Sequence, residues 1–182
     1  MAFSAKVSTQ RIVHLLDAMP NYSEYGEIQR AMENETSYRL ALGYILKAWG
    51  DQLLDLAEQQ PGTLSRSQTR MVDALLEGIG EIFATLNGMR ELGSFSDDAG
   101  PQFLQESDAR LLKLLERAQR IVVELRQREF SGVWIEKHAR PLFRTFRRIE
   151  KVLASRNDLL GAQGPPGGAG SHKGSRRRGE LV

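Results

Sequence analysis

The sequence predicts an all-α protein: an up-down-up-down four-helix bundle of long helices, with a short N-terminal helix and a disordered basic C-terminal tail. Three observations carry this expectation. Apolar residues recur at three- and four-residue spacings along most of the chain. There is no convincing alternating strand, and no Asn-Gly pair stands between alternating runs as a hairpin signal. The breaks between periodic stretches are short and built from Gly, Pro, Ser and Asp. With 182 residues, 41% hydrophobic and 26% charged, the chain suits one helical-bundle domain over 1–160 and a tail over 161–182.

The short first helix is expected from Ser8 or Thr9 to Met19, burying Ile12, Leu15, Leu16 and Met19 and stopping at Pro20. The next runs from near Ser23 to Gln60 and ends at "QQPG". Ile28, Glu35, Leu42, Trp49 and Leu56 form one seven-residue series, and Met32, Arg39, Leu46 and Leu53 form its partner. A third helix opens at "SRSQ", where Ser65 and Gln68 have the spacing of a capping box. It turns Val72, Leu75, Ile79, Ile82, Leu86 and Met89 inward. Gly78, Gly80 and Gly88 inside it either allow a close helix approach or simply weaken it.

After the loop "GSFSDDAGPQ", Pro101 suits the first turn of a fourth helix reaching Arg128. Leu104, Leu111, Leu115, Ala118, Val122 and Leu125 form its apolar stripe, with Leu114 and Ile121 beside them. "SG" at 131–132 separates it from the last helix, about 133–158. There Ile135, Ala139, Leu142, Phe146, Ile149, Leu153 and Leu160 share one direction on the helical wheel. That phase survives across Pro141, which predicts a bent but continuous helix. The tail "GAQGPPGGAGSHKGSRRRGELV" holds 7 of the 17 glycines and almost nothing to bury.

The net charge of +2 hides a polarity. Residues 1–100 carry 8 Lys/Arg against 14 Asp/Glu, whereas residues 131–160 carry 7 against 3. An acidic partner for the rear half, or head-to-tail self-association, is the expectation. Opposite the apolar stripe of the last helix lie Lys137, Arg140, Arg144, Arg147, Arg148 and Lys151, with no acid on the crest. The preceding helix adds Arg110, Lys113, Arg117 and Arg120, and the tail adds Lys173, Arg176, Arg177 and Arg178. Such a wall fits phosphates, because arginine forks onto their oxygens. Nucleic acid is the leading specific reading of the ridge; a solvated face is the ordinary alternative, and membrane skimming is the weaker one because the apolar face is committed to the core. No aromatic alternates with the cations, so base stacking is not indicated.

"RIVHLLDAMPNYSEYGEIQRAMENETSYRLALGYILKA", Arg11 to Ala48, distantly resembles a helix-turn-helix, in the order found in winged-helix regulators. The resemblance implies a turn at "ENE" and DNA contact from "TSYRLALGYILKA". The unbroken seven-residue seam predicts a single helix there instead.

Chemistry-bearing patterns are scarce. The chain has no cysteine and three histidines, His14, His138 and His172. None follows a Glu at the spacing of di-iron bundles, and no phosphate-binding loop is present. No cofactor, metal or catalytic residue is expected. One polar group stands out: Glu35, Arg39, Asn87, Asp108 and Arg156 should meet at one end of the bundle as a buried polar layer. Such a layer either fixes helix register by ion pairing or lines a small-ligand pocket.

No apolar run is long enough to span a membrane, and "MAFSAKVSTQR" lacks a secretory h-region, so a cytoplasmic location is expected. The sequence thus reads as a bacterial-looking, non-catalytic accessory or adaptor protein with a protein partner or self-association. Nucleic-acid binding through the basic ridge and tail is the alternative.

Overall fold

A computed structural model describes residues 12–59, 64–88, 101–127 and 132–161. Four long helices dominate: α1 (Ile28–Gln59), α2 (Arg66–Asn87), α3 (Pro101–Gln127) and α4 (Gly132–Leu159). Helical turns at 12–17 and a 3-10 turn at Tyr22–Glu24 precede them, and no strand occurs among the described residues.

Local sequence explains most boundaries. Ser65 Oγ accepts the Gln68 backbone N–H at 3.2 Å while Gln68 Oε1 accepts the Ser65 N–H at 2.8 Å, which closes the capping box of α2. Pro101 opens α3, where its missing N–H costs nothing. α4 passes through Pro141 unbroken and ends at Gly161, whose φ of 68° is the left-handed cap that glycine adopts without strain. α1 runs without a turn at Glu33–Glu35, so the helix-turn-helix order does not form.

α1 begins at Ile28 rather than Ser23, because the chain turns through Tyr25–Glu27 first. Ile28 and Met32 are exposed, although both lie on the expected seam. A straight helix drifts about 20° per seven residues, so a series in phase with Trp49 has left the core by Ile28. Ala31, Glu35 and Tyr38 face inward in its place. Leu16 is also exposed, because the leading turns bury only one edge, through Leu15 and Pro20. Met89, the side chains of Leu56 and Leu125, and the tail from 162 lie outside the described residues.

Leu42, Leu46, Trp49 and Leu53 join Leu75, Ile79 and Ile82, then Leu111, Leu115 and Val122, then Leu142, Phe146 and Ile149 in one core. α2 packs along both α1 and α4, and α4 packs along α3. The first turns of α2 and α4 meet where Gln68 donates to Glu136 at 3.0 Å. Their last turns meet where Asn157 donates to the Thr85 carbonyl at 2.8 Å. Deep in the core Trp49 stacks on Phe146 and donates its indole N–H to Gln119 at 2.7 Å.

Gly78 is a contact between α2 and α4. A Cβ there would lie 3.4 Å from the Phe146 ring and 3.7 Å from Phe143, whereas one on Gly80 would meet nothing within 4 Å. Gly80→Ala should therefore stabilise the fold by about 1 kcal/mol through helix propensity alone. Gly78→Val should lose about 1–3 kcal/mol by forcing the two rings aside. Urea unfolding of both variants checks the contrast, and equal shifts would remove Gly78 from the interface.

Candidate functional site

At the end of the core where α2 and α4 finish, apolar packing gives way to an ionic cluster. Three of its members are the most buried charges among the described residues: Glu35 and Asp108 at 0% exposure and Arg156 at 1%. Each comes from a different helix, α1, α3 and α4 respectively. Each occupies a position on its helix that would otherwise hold a core apolar side chain.

The Arg156 guanidinium forks between both carboxylates. It donates from Nη1 to Glu35 Oε2 and from Nη2 to Glu35 Oε1, both at 2.6 Å. It donates from Nε to Asp108 Oδ1 at 2.7 Å and from Nη2 to Oδ2 at 3.1 Å. Its plane also sits 4.8 Å from the centre of the Tyr38 ring, a cation–π contact in a desolvated setting. Three tyrosine hydroxyls complete the shell: Tyr25 donates to Glu35 Oε1 at 2.6 Å, Tyr38 to Asp108 Oδ1 at 2.8 Å, and Tyr22 to Asp108 Oδ2 at 3.0 Å. Arg39 Nε donates to Glu35 Oε2 at 3.0 Å.

Each of the four carboxylate oxygens therefore accepts two hydrogen bonds, the full capacity of two ionised carboxylates. Two guanidinium charges balance two carboxylate charges. The arrangement is that of an ion-paired layer, with both carboxylates already saturated by side chains of the protein itself. The three tyrosines were not foreseen. Their aromatic rings satisfy the same apolar periodicity as leucine, and nothing in one sequence says that a hydroxyl will point at a carboxylate.

Arg39 also ties in α2. Its Nη1 donates to the Leu86 carbonyl and its Nη2 to Asn157 Oδ1. Leu86 carries a carbonyl of the last turn of α2 that has no partner within the helix, and the Thr85 carbonyl, which accepts the Gly88 N–H at 3.3 Å, has room for a second donor. Arg39 and Asn157 supply those donors, and a cation suits the negative end of the helix dipole. Asn157, not Asn87, fills the amide position of the layer. Asn87 is exposed, because it follows the buried Leu86 by one residue and so points about 100° away from it.

Burial would raise the Glu35 pKa, but the hydrogen bonds and charge of Arg156, then the Tyr25 hydroxyl and the Arg39 charge, outweigh it and hold the carboxyl below its usual range. Burial, reinforced by the neighbouring carboxylates, pushes the Tyr22, Tyr25 and Tyr38 hydroxyls well up. The Arg156 guanidinium is held cationic by the two carboxylates against its own burial, while burial lowers Arg39.

The core is less well satisfied elsewhere: Gln52 Oε1 and Trp134 Nε1 are buried without a hydrogen-bond partner. Trp134 stacks on His138, whose Nε2 lies 3.8 Å from Glu124. Among the described residues no group of three His, Asp or Glu is placed to hold a metal ion.

The ridge residues lie on the surface. Lys137, Arg140, Arg144, Arg147, Arg148 and Lys151 are all exposed along α4, and Arg110, Lys113, Arg117 and Arg120 are exposed along α3. Arg147 departs from the others: it bridges Glu81 of α2 at 2.8 Å and Glu150 at 3.0 Å. Arg110 leans towards Glu106 at 3.8 Å. The other five ridge cations of α4, Lys137, Arg140, Arg144, Arg148 and Lys151, pair with no acidic side chain among the described residues. Lys173, Arg176, Arg177 and Arg178 lie outside those residues.

Two predictions follow from the layer's geometry. Arg156→Ala leaves two carboxylates buried without their cation and should cost about 3–5 kcal/mol. Arg39→Ala, which removes one bond to Glu35 and unpairs the Leu86 carbonyl, should cost about 1–3 kcal/mol, and Arg144→Ala on the ridge within about 0.5 kcal/mol of nothing. Chemical denaturation of the three variants reads the order directly.

The second concerns pH. Glu35 has a folded pKa below the unfolded value of about 4.3, so its contribution is present above that value and lost as the pH falls through the folded pKa. The tyrosines have folded values above the unfolded value of about 10, so their contribution is present below it and lost as the pH rises beyond. Melting temperature against pH should show a plateau between, with an acid limb that is shallower in Glu35→Gln. Identical acid limbs in the two proteins would contradict the assignment.

Comparison with protein-family models, with curated proteins and with solved structures finds no match to this chain.

Proposed function

We propose that this protein is a non-catalytic accessory or adaptor protein that works through its surfaces in a macromolecular assembly. Its scaffold in this reading is an up-down-up-down four-helix bundle with a basic tail, in a cytoplasmic setting. The single observation that carries the proposal is the unpaired crest of α4. Lys137, Arg140, Arg144, Arg148 and Lys151 stand directly opposite the buried stripe Ile135–Leu153, over about 21 Å of helix at 1.5 Å per residue. A purely structural surface mixes signs so that its charges neutralise one another, as Arg147 does with Glu81 and Glu150. Five aligned cations without such partners repel each other and gain from an acidic surface laid along them.

The saturated ionic layer supports the non-catalytic half of the reading. Its carboxylates are fully hydrogen-bonded and out of reach of solvent, so they have no free lone pair with which to take a proton from a substrate. Membrane spanning does not enter, since no described helix is long and apolar enough to cross a bilayer.

Nucleic acid is the second reading, and the parallel row on α3 favours it. Arg110, Lys113, Arg117 and Arg120 are exposed on the helix that packs against α4, which broadens the ridge towards a phosphate track. One experiment separates the two readings. Arg140, Arg144, Arg148 and Lys151 are changed together to Gln, a good helix former that leaves the apolar stripe intact. An adaptor should lose a protein complex recovered by pull-down while binding DNA or RNA weakly from the outset. A phosphate-binding ridge should lose nucleic-acid affinity, with the log–log salt slope shrinking by up to about four. A variant that keeps every partner of the wild type would show that the ridge is only solvated.

A further inference from the structure

The face of α1 turned away from the core carries a second apolar seam. At about 100° per residue, Tyr38, Leu42, Ile45, Trp49 and Leu53 point into the core while Leu40, Tyr44, Lys47, Asp51 and Leu54 point roughly the opposite way. These outer positions follow the same three- and four-residue spacing that packs one helix on another. Leu40 is 58% exposed, Tyr44 63% and Leu54 46%. Large apolar side chains so exposed, aligned on one helix, mark an interaction surface rather than a solvated one.

Two further features say what fits there. Beside the seam runs a groove of about 630 Å³, floored by Ala41, Ile45 and Ala48 and walled by Leu40 and Tyr44, with His14 at its edge. The small side chains of Ala41 and Ala48 in the floor let a second helix approach closely. Between Leu40 and Leu54 the seam holds one charge of each sign, Lys47 and Asp51, which pair within the helix at 2.7 Å and are both exposed, while Asp55 and Glu58 add exposed acid at its far end. Within the stretch from Leu40 to Leu54 the charges balance, so it does not call for a strongly acidic or basic partner. It is, however, complementary to itself.

The complementarity has a definite geometry. A two-fold axis perpendicular to α1 near residue 49 sets a second α1 antiparallel to the first. Lys47 and Asp51 stand equally far from that point, so each Lys47 faces the partner's Asp51. Tyr44 and Leu54 are likewise equidistant, so each Tyr44 packs on the partner's Leu54. Apolar contact and opposite charges are satisfied twice over by one operation, the hallmark of an isologous interface.

We propose that a second copy of this chain docks on the outer face of α1, forming an antiparallel two-fold dimer through Tyr44, Lys47, Asp51 and Leu54. The face is separate from the α4 ridge, so this dimer does not depend on what the ridge binds. It would present two ridges in one particle.

Sedimentation velocity of the full chain from micromolar to sub-millimolar concentration tests the proposal. The wild type should dimerise reversibly. Tyr44→Glu, at an exposed site that leaves the core untouched, should weaken the dimer at least about tenfold with an unchanged circular dichroism spectrum. Lys47→Glu and Asp51→Lys should each weaken it by setting like charges across the axis, and the double variant should recover. A wild type that stays monomeric throughout would leave this face to some other protein and overturn the assignment. So would a dimer indifferent to Tyr44→Glu, or a double variant no stronger than its parents.

Discussion

The guanidinium of Arg156 holds the structure in register. It lies between Glu35 of α1 and Asp108 of α3, and its four hydrogen bonds to them set where those helices stand along α4. Apolar side chains alone tolerate sliding by a turn, since leucine packs on leucine at many offsets. A fork between two carboxylates does not, because a shift of one turn would bury three unpaired charges. Arg39 and Asn157 extend the same cluster to the C-terminal carbonyls of α2, so every long helix is pinned at one level. Tyr22 and Tyr25 then fasten the segment ahead of α1 onto that level, beside the apolar contacts of Leu104, Ala31 and Leu160.

Much of this can be read from the chain, and the parts that cannot have identifiable causes. The α4 stripe from Ile135 to Leu160, the Ser65–Gln68 capping box and the opening of α3 at Pro101 depend on contacts within a few residues, which sequence spacing records directly. Glu35, Asp108 and Arg156 were legible as charges on otherwise apolar seams. Asn157 was not, because a residue one step from Arg156 lies on an adjoining face, and only the position of the α2 terminus makes it useful. The exposure of Ile28 and Met32 reflects the slow drift of a seven-residue series on a 3.6-residue helix, an error that grows with distance from the centre of the seam. The tyrosine hydroxyls and the outward seam of α1 depend on which helices become neighbours, and spacing within one helix cannot carry that information.

With the carboxylates of the buried layer fully hydrogen-bonded, the readings proposed above rest on two outer surfaces. The α4 ridge and the outer face of α1 both point away from the shared core, and α2 packs between the two helices. They differ in kind. The ridge is a single-signed track, so the binding proposed for it would weaken with salt, whereas a dimer through the more apolar α1 seam would depend on salt far less. An ionic layer that prevents sliding keeps both surfaces in a fixed relation, as the proposed accessory role would require.

The claim underlying this account is that the layer is a closed ionic cluster whose two carboxylates are fully hydrogen-bonded. Proton NMR of the Arg156 guanidinium tests it most directly. Locked between Glu35 and Asp108 and shielded from water, its Nη protons should give separate, slowly exchanging resonances near room temperature, with cross-peaks to the Tyr38 ring. A single averaged signal that exchanges rapidly with water would mean that the guanidinium rotates in a solvated space, and the closed layer would be wrong.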